Sequence, residues 1–108
     1  MADSKAVTIL KALADPVRLR LFYLLSLGNE ICVCHLTEAL ELPQSTISRH
    51  LAVLRHAGLV STRRDGKWIH YRMTDETSES LATFVESNLD DTQQADARRL
   101  SNTLKSCQ

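Results

Sequence analysis

The sequence lacks most of what marks a membrane-bound, secreted or catalytic chain. No apolar stretch approaches the roughly 18 uninterrupted residues that a membrane span needs. The best candidate, Leu19 to Leu27, is broken by Arg20, so no membrane partner is expected. The opening residues Met1-Ala2-Asp3-Ser4-Lys5 have no basic patch followed by an apolar one. No secretion signal is therefore expected, and the cytoplasm is the expected location. Glycines number three and prolines two, and aromatic residues make up 5% of the chain. There is no internal repeat and no low-complexity stretch. No nucleophile, base and orienting acid suggest themselves as a set, and there is no Cys-x-x-Cys within alternating strands and helices. The expectation is a protein that is not an enzyme and carries no organic cofactor.

What is present fits one small domain. The chain has 108 residues, 44% of them apolar, enough for a core. A domain this short leaves much surface exposed, so self-association would help it. The net charge of zero conceals a division. Between Gln44 and Arg72 stand six basic residues, Arg49, Arg55, Arg63, Arg64, Lys67 and Arg72, opposed by Asp65 alone. From Asp75 to Asp96 there are seven acids and no base. A basic middle beside an acidic end points to a polyanion partner for the middle.

Punctuation and periodicity place the elements. Val7, Leu10, Leu13 and Ala14 recur at helical spacing, predicting a helix near residues 4–14. Asp15-Pro16 reads as a helix cap followed by proline at the first helical position, with the second helix running to Leu27 and ending at Gly28-Asn29. The stretch Ile31 to Cys34 is ambiguous between extended chain and the start of a helix, and His35 to Glu41 reads as helical. After the turn at Leu42-Pro43, Ser45 or Thr46 is placed to cap a helix whose inward face is Ile47, Leu51 and Leu54. Residues 59–73 read as a hairpin turning at Asp65-Gly66. A last helix after Thr74 carries Leu81, Phe84, Val85 and Leu89. Residues 1–90 are thus expected to form a DNA-binding and dimerisation domain. Residues 91–108 are a tail, read as a short helix or partly disordered. The fold class is mainly α with a small β-hairpin, in the order ααααββα, which is a winged helix-turn-helix.

Two constellations carry chemistry. The outward face of the helix after Pro43 begins Gln44, Ser45, Thr46, Ser48 and Arg49. A recognition helix presents its first turns to the major groove, where hydroxyls reach phosphates and a guanidinium reaches guanine. His50 either joins this face or bonds to a neighbouring helix. The hairpin tip adds Arg63, Arg64 and Lys67, which suit a phosphate backbone or minor groove. The expected partner is double-stranded DNA. The second constellation is Cys32-Val33-Cys34, with Cys107 as a third, distant thiol. In a reducing compartment such cysteines are more often ligands or sensors than structural disulfides. Residues i and i+2 point alike on an extended chain but lie about 200° apart around a helix. One ion can hold both sulfurs only where this stretch is not helical, so bending this backbone on capture is the expected switch. Thiolates select soft ions; two cysteines are too few for a closed tetrahedral zinc site.

Several segments together resemble the ArsR/SmtB family of metalloregulatory repressors. They are Ala14-Asp15-Pro16-Val17-Arg18-Leu19, Ile31-Cys32-Val33-Cys34-His35-Leu36, Gln44 to Leu51, Leu54 to Val60, and Arg63-Arg64-Asp65-Gly66-Lys67-Trp68 with Tyr71. The Cys-Val-Cys segment is most similar to the arsenite-responsive branch. The resemblance implies a homodimer through the first and last helices that binds operator DNA as a repressor. It implies release when arsenite or antimonite binds the cysteines. Where many relatives place a third cysteine, this chain has Thr37, which leaves Cys107, a small thiol or solvent to complete the site. No cysteine precedes Cys32 and the last helix has no histidine, features that other branches use for zinc or cadmium. The alternative reading is the same repressor sensing cadmium, lead, zinc or thiol oxidation.

Overall fold

The computed structural model describes residues 4–28, 30–74 and 76–106. Helix α1, Lys5–Leu13, is capped by Ser4, whose hydroxyl accepts from the Val7 N–H. Asp15 then caps α2, Pro16–Leu27, accepting from the N–H groups of Val17 and Arg18, with proline at the first helical position as the sequence predicts. Burial works against the charge on Asp15. The two N–H bonds, with Arg18 and His50 nearby, outweigh it and hold the carboxyl below its ordinary value. Leu21, Phe22, Leu24 and Leu25 of α2 form the centre of the core. Helix α3, Val33–Leu40, ends on Glu41 in the left-handed conformation, and α4, Gln44–His56, follows after a short turn. Ile47, Leu51 and Leu54 of α4 are fully buried, matching the inward face predicted from spacing.

The structure departs from the sequence reading in four places. The expected cap at Ser45 or Thr46 does not form: α4 already starts at Gln44, Pro43 occupies the cap position, and no side chain bonds there. The hairpin, β2 Val60–Asp65 and β3 Trp68–Met73, turns one residue later than expected. Asp65 pairs with Trp68, leaving Gly66 and Lys67 as the two loop residues. Gly66 has φ 62°, which suits the first loop position of a type II′ turn, where glycine is favoured. The hairpin also gains a third strand, β1 Ile31–Cys32, giving the order β1-β3-β2.

The fourth departure lies beyond α5, Glu76–Glu86. The tail forms α6, Asp91–Ser106, a helix of 16 residues rather than a short one. Its start is a reciprocal capping box: the Asp90 N–H donates to Gln93 Oε1 at 2.8 Å and the Gln93 N–H to Asp90 Oδ1 at 3.1 Å. Among the described residues, no helix is long and apolar enough to cross a membrane.

Candidate DNA interface and thiol site

Burial of Ile47, Leu51 and Leu54 fixes the orientation of α4 and turns its other side outward. Gln44, Ser45 and Arg49 are exposed, and Thr46, Ser48 and His50 are half-buried. Arg49 has no carboxylate partner among the described residues. His50 is held from behind. Arg18 donates from Nη1 toward His50 Nδ1 at 3.3 Å while its Nε donates to the Ala12 carbonyl at 2.6 Å. Arg18 thereby ties the end of α1 to the middle of α4.

The hairpin cations divide into two kinds. Arg64 and Lys67 are exposed, and Lys67 Nζ sits 5.2 Å from the centroid of the Trp68 ring. Arg63 is engaged: its guanidinium makes a bidentate bond to Glu30, with contacts of 2.8 and 3.0 Å. The Arg63 bond lowers the Glu30 pKa below its usual value. The link therefore holds at neutral pH and is lost only in acid, as pH falls through that lowered value. A phosphate must compete with Glu30 for Arg63. Glu30→Gln should tighten DNA binding by about two- to fivefold, the scale of one exposed ion pair. Gel shifts at two salt concentrations check this; weaker binding would mean that Glu30 aims Arg63 instead of withholding it.

Cys32 and Cys34 straddle a junction. Cys32 is the second residue of β1, paired with His70 of β3, and is also the cap of α3 with φ −68° and ψ 144°. Cys34 lies in the first turn of α3. Because Cys32 is extended, its sulfur swings over the helix start. The Cys34 N–H donates to Cys32 Sγ at 3.4 Å, and Cys34 Sγ lies 2.9 Å from it. Cys32 is buried and Cys34 exposed.

This geometry corrects the expected switch. The stretch already meets the condition that it not be wholly helical, so the two sulfurs need no backbone bend to meet. With metal–sulfur bonds of about 2.3 Å, a shared ion would open the pair from 2.9 Å to roughly 3.3–3.8 Å. Rotation of Cys34, which is exposed, can supply that. Among the described residues no third His, Cys, Asp or Glu joins the pair. Thr37 donates its hydroxyl to the Val33 carbonyl at 2.9 Å. Cys107 lies outside the described residues.

Sequence reasoning missed the cluster that fixes α6. Asp96 is completely buried and takes Arg20 on both oxygens, Nε at 2.8 Å and Nη2 at 2.9 Å, with Arg99 Nη2 at 2.7 Å. The same two arginines bond the last carbonyls of α3: Arg20 reaches Leu40 O at 3.2 Å and Arg99 reaches Ala39 O at 2.7 Å. The interruption of an apolar run by Arg20 was the available signal.

A family model, described as bacterial regulatory protein, arsR family, matches residues 15–62, which span Asp15, both cysteines and all of α4. An arsenic resistance transcriptional regulator of Pseudomonas putida is 43% identical over 96 residues, covering 86% of this chain and 75% of that protein. The chain belongs to the ArsR family. A second ArsR-family relative, the arsenical resistance operon repressor of Escherichia coli, is 50% identical over 68 residues, 63% of this chain and 58% of that protein. Among solved structures, a homodimeric winged helix-turn-helix DNA-binding domain from Mycobacterium bovis superposes with a TM-score of 0.70 at 32% identity. That match covers 77% of this chain and 76% of that one. This ArsR-family chain is therefore a winged helix-turn-helix transcriptional regulator and not an enzyme.

Proposed function

We propose that this chain is a homodimeric, cytoplasmic repressor that binds operator DNA and is released when arsenite or antimonite binds Cys32 and Cys34. The observation that carries the reading is the pair of sulfurs 2.9 Å apart at the start of α3. Soft donors at this spacing suit a soft ion, and α3 is the helix that positions α4 within the DNA-reading unit. The regulators of arsenic resistance among its relatives support the same ion. On α1, Val7 is 39% and Leu10 61% exposed, and Phe84 on α5 is 68% exposed. Such large apolar side chains left in water support a second copy as their cover. The dimer then uses α1 and α5; α6, the last helix, is committed to α3 within the chain.

Gln44, Ser45, Thr46, Ser48 and Arg49 are the proposed groove contacts, with Arg64 and Lys67 on phosphates and Arg63 joining them once it leaves Glu30. His50 supports α4 from behind. Arg49→Ala should weaken operator binding by about 1–3 kcal/mol, the loss of one bidentate base contact, measured by titration in a gel shift. Normal binding would place another face of α4 in the groove. The experiment that tests the whole reading is a gel shift on the protein's own upstream DNA with arsenite, antimonite, cadmium and zinc added in turn. Release by arsenite and antimonite at the lowest doses is expected. Release by cadmium or zinc alone would overturn the ion assignment.

A further inference from the structure

We propose that Trp68 is a DNA-contacting residue whose indole packs into the minor groove beside the major groove that α4 enters. The inference rests on the reading of α4 as the groove-entering helix and on nothing at the cysteines. Val60 is buried, and Tyr71 and Met73 pack against the core. Side chains alternate along a strand, so Trp68 lies on the opposite face of β3, next to the loop and paired with Asp65. It is 48% exposed. One apolar side chain in water is ordinary on a protein surface. Trp68 stands apart because of what surrounds it.

Lys67 Nζ lies 5.2 Å from the centroid of the indole ring. That ammonium braces one face of the ring through a cation–π contact, and Arg64 adds a second exposed cation to the tip. An apolar wedge flanked by cations is a combination that minor-groove binding uses. Asp65, exposed at the same tip, counts against a site built for phosphates alone. Contact of the indole with sugar and base edges needs no charge and tolerates that carboxylate. The reach agrees as well. Strand β2 follows α4 after three residues, 57–59. From Val60 to Asp65 the strand extends about 17 Å, and the neighbouring minor groove lies about half a helical turn, or about 17 Å, from the major groove.

An indole in that position reads the floor and width of the groove. G·C pairs place an amino group in the minor groove that A·T pairs lack, and a bulky ring collides with it. The wing therefore favours A·T pairs under Trp68, outside the bases that Gln44 to Arg49 touch. Trp68 adds sequence preference where the cations beside it add only attraction to the backbone.

Trp68 is the single tryptophan of the chain, so the native full-length protein reports on it without any substitution. On titration with the protein's own upstream DNA, its fluorescence should be quenched. Quenching by added acrylamide should fall by roughly half or more, since about half of the side chain is open in the free protein. Trp68→Ala should bind that DNA roughly five- to tenfold more weakly, the lower end of what an aromatic side chain contributes against nucleic acid. Trp68→Phe should recover most of the loss. Salt separates the indole from its neighbour: Trp68→Ala should keep the native slope of log affinity against log salt, while Lys67→Ala should lower it by about one. Once a footprint has placed the site, changing the A·T pairs under the wing to G·C should weaken native binding. Inosine·C pairs, which lack the amino group, should restore it, and Trp68→Ala should respond to neither change. A tryptophan still open to acrylamide in the complex, or normal binding by a folded Trp68→Ala, would overturn the inference and leave the indole to a protein partner. Normal binding by Arg49→Ala with a shielded tryptophan would instead sink the reading of α4 and not the contact at Trp68.

Discussion

Cys34→Ser should bind operator DNA as the native dimer does, within about twofold, and should remain bound when arsenite is added. The side chain is exposed in the first turn of α3, so a hydroxyl of similar size leaves packing unchanged. It removes one of two soft donors, and a serine oxygen does not replace a thiolate for a soft ion. Cys32→Ser makes the same point from a buried position. Cys32 caps α3 by accepting from the Cys34 N–H, and serine is among the preferred residues for that role. The helix start therefore survives while the sulfur is lost. In both variants the arsenite concentration needed for release should rise by roughly a hundredfold or more, at or beyond the largest losses seen when a metal site loses an outer-shell partner. Release at native concentrations in both variants would remove the thiols from the mechanism.

The two single variants also separate sensing from structure. A merely structural cysteine pair would show its loss in stability and in DNA affinity together. The geometry predicts that both stay nearly constant in Cys34→Ser while response disappears, because Cys34 is exposed; in Cys32→Ser the buried sulfur is replaced by a residue that can keep the helix cap.

Much of this architecture was readable from local signals. Asp15-Pro16 announces α2, and the spacing of Ile47, Leu51 and Leu54 announces α4 and leaves its polar face outward. Asp65-Gly66 marks the hairpin to within one residue. These are patterns of period or of turn chemistry, each decided by a few neighbours in sequence. What escaped depends on distant partners. Strand β1 is only two residues long and exists because Tyr71 and His70 lie beside Ile31 and Cys32. Without that pairing, Cys32 would have no reason to be extended, and the cysteines would read as ambiguous, as they did. Arg63 reads as a free wing cation until Glu30, 33 residues earlier, takes its Nε and Nη2 donors. Helix α6 was partly legible: Asp90 and Gln93 have the spacing of a capping box. Its polar composition hid the burial, since Asp96 enters the interior only because Arg20 and Arg99 meet it there.

Asp96→Ala should therefore be the most damaging surface-looking substitution in the chain. It leaves Arg20, whose side chain is 18% exposed, without the carboxylate that binds it. Removing one member of a fully buried pair costs roughly 3–5 kcal/mol; here both arginines retain some access to water, which reduces the loss to about 2–3 kcal/mol. The melting temperature should fall by on the order of 10 °C at fixed protein concentration. The loss should centre on α6, whose amides should exchange with solvent faster than those of α2. Operator binding by the folded fraction should change by less than about threefold, since α4 is packed by Ile47, Leu51 and Leu54 and not by α6. An Asp96→Ala protein that melts normally would show that the three-residue ion cluster does not anchor the helix.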